Sequence, residues 1–247
     1  MLFLCETLCP PWLMFFMSVS ENIFRIREQI GAAARRAERR PKEISLMAVS
    51  KTFAHDLIRE AYGAGQRLFG ESRVQEFAAK AEALRDLQEA EWHMIGHLQA
   101  NKAAKAAELF GAVDSVDSLR LAQRLNASAR AIGKKLAVLI EVNVGGEAVK
   151  SGVHLGSPEL DEILLAAAEL DHLEIRGLMT VPPFGEDPES ARPFFRKLRE
   201  LQQDIAARHL PRVDMTQLSM GMSHDFETAI EEGSTCVRVG TAIFGQR

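Results

Sequence analysis

The sequence predicts an α/β protein of one domain, a (β/α)8 barrel of the TIM type with one extra helix ahead of it, and three observations carry that reading. Eight short apolar runs with the length of strands alternate with segments of helical periodicity. No G-x-G-x-x-G follows the first run, which counts against the alternative, a doubly wound open sheet. No internal repeat, low-complexity stretch or linker divides the 247 residues, whose 47% hydrophobic and 26% charged composition suits one large core.

Ile23, Ile26, Ile30 and Ala34 recur at helical spacing from Ser20 onward, and Pro41 ends this leading helix. Residues 44–49 form the first strand. The next helix buries Leu57, Ile58, Ala61 and Tyr62, closes at Gly63 and Gly65, and delivers the strand 67–70. Ser72 with Gln75 three residues on reads as a capping box that opens the second barrel helix, ahead of the strand 92–96. A helix over 99–110 precedes the strand 112–116, and one starting at Ser118 precedes the strand 136–143. Ser157-Pro158 and Asp187-Pro188 each open a helix, a cap followed by a proline that is pre-organised for the first helical turn. The strands 174–181 and 214–219, a short helix over 223–231 and the strand 235–239 complete the count.

A formal net charge of -4 excludes the clustered basic surface that nucleic-acid binding requires, and the basic run Arg35, Arg36, Arg39, Arg40, Lys42 reads as a solvated helix face. Cys5, Cys9 and Cys236 make no disulfide framework, which points to the cytoplasm, with Cys236 a reduced residue of the core. Residues 1–17 are apolar but lack Lys and Arg, contain Glu6 and are interrupted by Pro10-Pro11. They match neither a secretory signal nor a membrane span. Residues 1–16 are read as an extension, disordered or outside the native chain, and 17–247 as the barrel. The seven histidines show no metal-ligand spacing.

Chemistry concentrates at strand ends. Lys51 follows the first strand, at the end of the barrel where working residues sit. Alternation puts Val49, Met47 and Ser45 on its face, and puts Ile44, Leu46 and Ala48 against the helices. In the last strand Val237 and Val239 face the helices and Arg238 faces inward. Strand eight of a closed barrel lies beside strand one, so Lys51 and Arg238 share a mouth. Either an anionic ligand stands between these cations, or Arg238 pairs with an inward carboxylate such as Glu141. Two glycine-containing turns favour the ligand: Ser219-Met220-Gly221-Met222-Ser223 after strand seven, and Gly240-Thr241 after strand eight. Phosphate sites in barrels use these loops, where glycine admits the backbone and Ser219, Ser223 and Thr241 offer hydroxyls. With Lys51 they describe a phosphorylated aldehyde held as a Schiff base.

AVSKT (48–52), FGES..QE (69–76), EWHMIGHLQANK (91–102), KSG (150–152), RGLMT (176–180), LSMGMS (218–223) and VRVGTAIFG (237–245) together resemble the pyridoxal phosphate homeostasis protein family, relatives of the barrel of bacterial alanine racemase, from about residue 20 onward. The resemblance implies that Lys51 carries pyridoxal 5'-phosphate (PLP) as a Schiff base, that Ser219, Gly240 and Thr241 hold the phosphate, and that Arg238 faces the pyridine nitrogen. Ser72 stands where the family has Asn, in a segment near the cofactor. The resemblance gives His93, His97 and Asn101 no role.

Three functions share this chemistry: a monomeric carrier that buffers PLP in vitamin B6 homeostasis and delivers it to PLP-dependent apoenzymes, a PLP-dependent amino-acid racemase, and a Schiff-base aldolase acting on a phosphosugar. The resemblance favours the carrier, with no catalytic residues of its own. Racemisation needs a base on each face of a planar carbanion, and the only tyrosine, Tyr62, falls on the first barrel helix.

Overall fold

The ends of the first helix are written in the local sequence. In α1 (Val19–Arg36) the Ser18 hydroxyl accepts from the Glu21 N–H while the Glu21 carboxylate accepts from the Ser18 N–H at 2.8 Å, a closed capping box. Its apolar stripe, Ile23, Ile26, Ile30 and Ala34, is buried. The computed structural model describes residues 18–147 and 150–246; the extension expected over 1–16, Cys5 and Cys9 lie outside the described residues.

The strands and helices then alternate as β1 (Ser45–Val49), α2 (His55–Gly63), β2 (Leu68–Glu71), α3 (Val74–Ala81), β3 (Glu91–Met94), α4 (Ala103–Leu109), β4 (Ala112–Val116), α5 (Leu119–Ala131), β5 (Leu136–Asn143), β6 (Val153–His154), α6 (Pro158–Ala166), β7 (Leu173–Met179), α7 (Arg192–Ala207), β8 (Val213–Met222), α8 (Phe226–Glu231), β9 (Cys236–Val239) and α9 (Thr241–Phe244). Parallel pairing runs β4-β3-β2-β1-β9-β8-β7-β5, and β5 pairs back to β4, so eight strands close a barrel. The two-residue β6 attaches to β5 outside the closed ring and was not expected from the sequence. The spare helix α1 packs on α2, α8 and α9, outside the seam where β9 meets β1.

The inside-outside alternation of β1 is as the sequence predicts. Ile44, Leu46 and Ala48 join the helix-side core with Val237 and Val239. Met47 is level with Arg238 in the register and faces the interior, where a Cβ on Gly70 would meet its sulfur at 2.8 Å. The aromatic residues Phe69, Trp92, Phe77 and Phe110 stack in sequence between barrel and helices, at ring separations of 4.7 to 5.0 Å.

Three local expectations are corrected. Ser72 does not cap α3; the helix starts at Val74, its cap position is Arg73, and no side-chain bond closes it. Ser157 likewise makes no side-chain cap, although Pro158 does begin α6. The LSMGMS segment is not a turn after its strand, because β8 continues through Met222 with a register shift between Ser219 and Met222. Among the described residues no helix is long and apolar enough to cross a membrane, and no three His, Cys, Asp or Glu side chains converge on a metal position.

Candidate functional site

Lys51 sits in a tight turn at the carboxyl end of β1. The Phe53 N–H donates to the Ser50 carbonyl at 3.2 Å, and Thr52 holds φ at +67°. A β-branched residue in that left-handed conformation costs about 1–2 kcal/mol, so surrounding contacts must hold the turn in place. They are behind it. The Ser50 hydroxyl donates to Glu71 Oε1 at 2.7 Å, and Lys80 Nζ lies 2.7 Å from the same oxygen. Sequence reasoning missed this trio. A carboxylate ending a strand beside a serine ending the neighbouring strand was the available signal, because a buried charge demands a partner.

The loop after β9 reaches the same mouth. A Cβ on Gly240 would stand 3.4 Å from both Cβ and the carbonyl oxygen of Val49, two residues before Lys51. Thr241 begins α9, so the first N–H groups of that helix have no intrahelical acceptor. Its hydroxyl lies 3.4 Å from that of Ser223, which follows β8. Lys51, Ser223, Gly240 and Thr241 are thereby gathered where β1, β8 and β9 end.

Ser219 and Gly221 fall elsewhere. The Ser219 hydroxyl is fully buried in the barrel and accepts from Arg238 at 2.8 Å. Gly221, at φ +94°, turns toward α8, where a Cβ would come within 2.5 Å of Ala229 Cβ; its glycine admits a helix. Ser72 borders the mouth, its carbonyl pressed so close to Gly96 that a Cβ there would stand 2.4 Å away. Beside it opens a cleft of about 390 Å3 lined by Ser72, Arg73, Gln75, His97, Gln99 and Lys102 among others.

Arg238 is 3% exposed and donates to the Ser219 carbonyl at 2.6 Å and the Thr180 carbonyl at 2.7 Å. The sequence left open a direct pair with Glu141; the guanidinium instead takes these backbone acceptors, and Glu141 acts on it only through charge. Burial pushes Arg238 below its ordinary value, opposed by Cys236, Asp114, Glu141 and Asp225. Glu141 itself is 8% exposed, and its Oε2 has no hydrogen-bond partner among the described residues. Burial, then the charge of Asp117, push it up to about 7, against the pull of Arg238 and His97.

The two histidines of the EWHMIGHLQANK segment form separate pairs. His97 Nδ1 is 2.9 Å from Asp117 Oδ2 at the mouth. His93 Nδ1 is 3.1 Å from Asp114 Oδ1 and lines a different cavity, of about 520 Å3, with Glu91 and Arg176. Burial disfavours the charged imidazole of His93, but Asp114 by charge and hydrogen bond outweighs it and holds His93 above its ordinary value. Cys236 keeps a free thiol, pushed up to about 12 by burial. Tyr62 lies on α2 with the Arg67 guanidinium 4.0 Å above its ring.

An amine, two hydroxyls with the opening N–H groups of a helix, and a buried guanidinium suit a phosphorylated aldehyde that carries a heteroaromatic ring. Comparison with known proteins agrees in kind. The profile described as "Alanine racemase, N-terminal domain" matches residues 22–247. The chain is 46% identical over 232 residues to the pyridoxal phosphate homeostasis protein of Aquifex aeolicus, covering 94% of this chain and 99% of that one. It is 45% identical over 233 residues to the protein of that name from Escherichia coli K12, covering 93% and 97%. The structure of PipY from Synechococcus elongatus with PLP bound superposes with a TM-score of 0.80 at 37% identity, over 92% of this chain and 100% of that one.

Proposed function

Since the chain belongs to the alanine racemase N-terminal domain family and, with its relatives, to the pyridoxal phosphate homeostasis proteins, we propose that it binds pyridoxal 5'-phosphate as a Schiff base on Lys51 and buffers and delivers that cofactor, without sustained turnover of its own. The observation that supports it most is that the Ser223–Thr241 pair, 3.4 Å between the two hydroxyls, lies next to Gly240, which packs against Val49 at the end of the strand that leads into Lys51. In this reading Ser223, Gly240 and Thr241 hold the phosphate through hydroxyls and helix-start N–H groups. Ser219, whose hydroxyl is engaged by Arg238, would hold that guanidinium in place, and Ser72 would border the bound cofactor. Glu141 and Arg238 supply the electrostatic floor.

When bound, the cofactor supplies an aldehyde for the lysine and a ring that withdraws electrons. Arg238, facing the ring nitrogen as the resemblance implies, would keep that nitrogen unprotonated and weaken the withdrawal. Tyr62 lies outside the barrel beneath Arg67, so Lys51 has no tyrosine across the ring. The cofactor's destinations are PLP-dependent apoenzymes, served by a monomeric cytoplasmic carrier.

The test is direct. Freshly purified protein shows a visible absorption band, borohydride bleaches it, and peptide mapping places the reduced adduct on Lys51; Lys51→Ala removes band and adduct and stays folded. An adduct on another lysine would refute the assignment. A colourless protein that reacts with a phosphosugar ketone at Lys51 would replace the carrier with an aldolase.

A further inference from the structure

Behind the turn that carries Lys51 lies a closed set of bonds, and we propose that Ser50, Glu71 and Lys80 are positioning residues that fix this turn in the geometry from which Lys51 reacts with an aldehyde. The inference rests on the reading of Lys51 as the Schiff-base lysine. β1 and β2 are parallel neighbours with Val49 opposite Gly70, so one step further Ser50 and Glu71 meet on the helix side, above Lys80 of α3. The Ser50 N–H donates to the Gly70 carbonyl at 3.0 Å. Its hydroxyl donates to Glu71 Oε1 at 2.7 Å. Its carbonyl accepts from Phe53 N–H at 3.2 Å and from Lys80 Nζ at 3.0 Å. Each polar group of Ser50 is used, and the residue joined to it is Lys51.

Burial gives these bonds their significance. Ser50 and Glu71 are 0% exposed, and the Lys80 side chain is 13% exposed. A buried ion pair is costly to desolvate, and apolar residues of the same volume commonly serve stability as well or better. The charges therefore call for a role that packing cannot fill. Thr52 identifies it: its left-handed backbone is strained, so the turn that carries Lys51 has to be held from outside. The doubly held Ser50 carbonyl belongs to the Ser50–Lys51 peptide, and it fixes the plane from which Lys51 projects. The pair also keeps the Lys80 ammonium bonded on the helix side, so that it does not compete for the aldehyde.

The step affected is addition of the neutral Lys51 amine to the aldehyde carbon. A C–N bond forms, both amine protons pass to the carbonyl oxygen, and that oxygen leaves as water. Angular placement controls such a step far more than it controls the affinity of the ligand.

The experiment compares the wild type with the double variant Glu71→Gln/Lys80→Met, in which neither charge is left buried alone. Pyridoxine 5'-phosphate, which has ring and phosphate but no aldehyde, measures binding by calorimetry. Pyridoxal 5'-phosphate measures imine formation by stopped-flow absorbance, with borohydride trapping and peptide mapping. The expected result is a pyridoxine 5'-phosphate affinity within about twofold of wild type, with imine formation on Lys51 slowed by about tenfold or more. Equal slowing of imine formation and loss of analogue binding would mean a structural role only and would overturn the inference, as would an unchanged rate. If the double variant does not fold, Ser50→Ala, which leaves the ion pair intact, bears the same comparison, with a slowing of about threefold expected and no slowing as refutation. Trapping of the wild type at Lys80 or any other lysine would instead refute the reading of Lys51.

Discussion

Replacing Glu141 by Gln should stabilise the ligand-free protein in mildly alkaline solution and do little in acid. The carboxyl is held at about 7 against an ordinary value of 4.5, so between those values the folded state keeps a proton that the unfolded chain has lost. Its contribution to stability is complete below about pH 4.5 and is lost as pH rises through 7. At about 1.4 kcal/mol for each unit of pH, the folded protein near pH 8 carries a penalty of about 3 kcal/mol that it escapes near pH 5, where less than about 1 kcal/mol remains. Gln has nearly the same shape, can meet Arg238 and Asp117 without a charge, and has nothing to ionise. The assay is urea unfolding of both proteins at pH 5 and pH 8, read as the difference between them. Asp117, His97 and Arg238 act on Glu141 by charge, and all three are present in both proteins. The expected gain of the variant over wild type grows by about 2 kcal/mol between the two pH values. A pH-independent difference, or a variant that loses ground as pH rises, would refute the claim that Glu141 is protonated near neutrality.

Three further outcomes follow from the mouth. Thr241→Val should weaken retention of pyridoxal 5'-phosphate by about 1–3 kcal/mol, the usual loss when a hydrogen bond to a charged group is removed; an unchanged dissociation constant would move the phosphate away from the loop after β9. Thr52→Gly relieves a left-handed β-branched residue whose side chain is exposed, so it should raise the unfolding free energy by about 0.5–1 kcal/mol after the entropic cost of glycine, and a lower denaturation midpoint would show that the turn is unstrained. The loaded protein, incubated with L-alanine in deuterated water, should not accumulate deuterated D-alanine, and sustained accumulation that disappears in Lys51→Ala would make the protein a racemase.

Much of the barrel was legible because strand and helix periods are local properties. The limits of β4 and β5 match the apolar runs residue for residue, and Ser118 accepts from Leu121 N–H as its position suggests. The failures have a common cause in contacts made at long range. Ser72 looks like a cap, yet Gly96, two residues past the end of β3, presses against its backbone, and α3 starts two residues later. LSMGMS looks like a turn because it contains glycine, but pairing with β7 and β9 extends β8 through it, and the glycine is there to admit α8.

The interior of the barrel shows where pattern reasoning ends. Alternation states that Arg238 and Glu141 both point inward, but which inward groups touch depends on the stagger of the strands around the ring, and stagger is a property of the closed sheet. β9 and β5 are separated by β8 and β7. The register that puts Arg238 beside Met47 on one side and Met222 on the other leaves it in reach of Ser219 and of the Thr180 carbonyl. Three of its five donors are taken there, and Glu141 is left with attraction at a distance. A carboxylate so placed gains too little from the guanidinium to offset its burial beside Asp117, and it holds its proton to about pH 7. The same stagger that keeps Glu141 from a direct bond with Arg238 therefore leaves a buried carboxyl held at about 7 among the inward groups of the barrel.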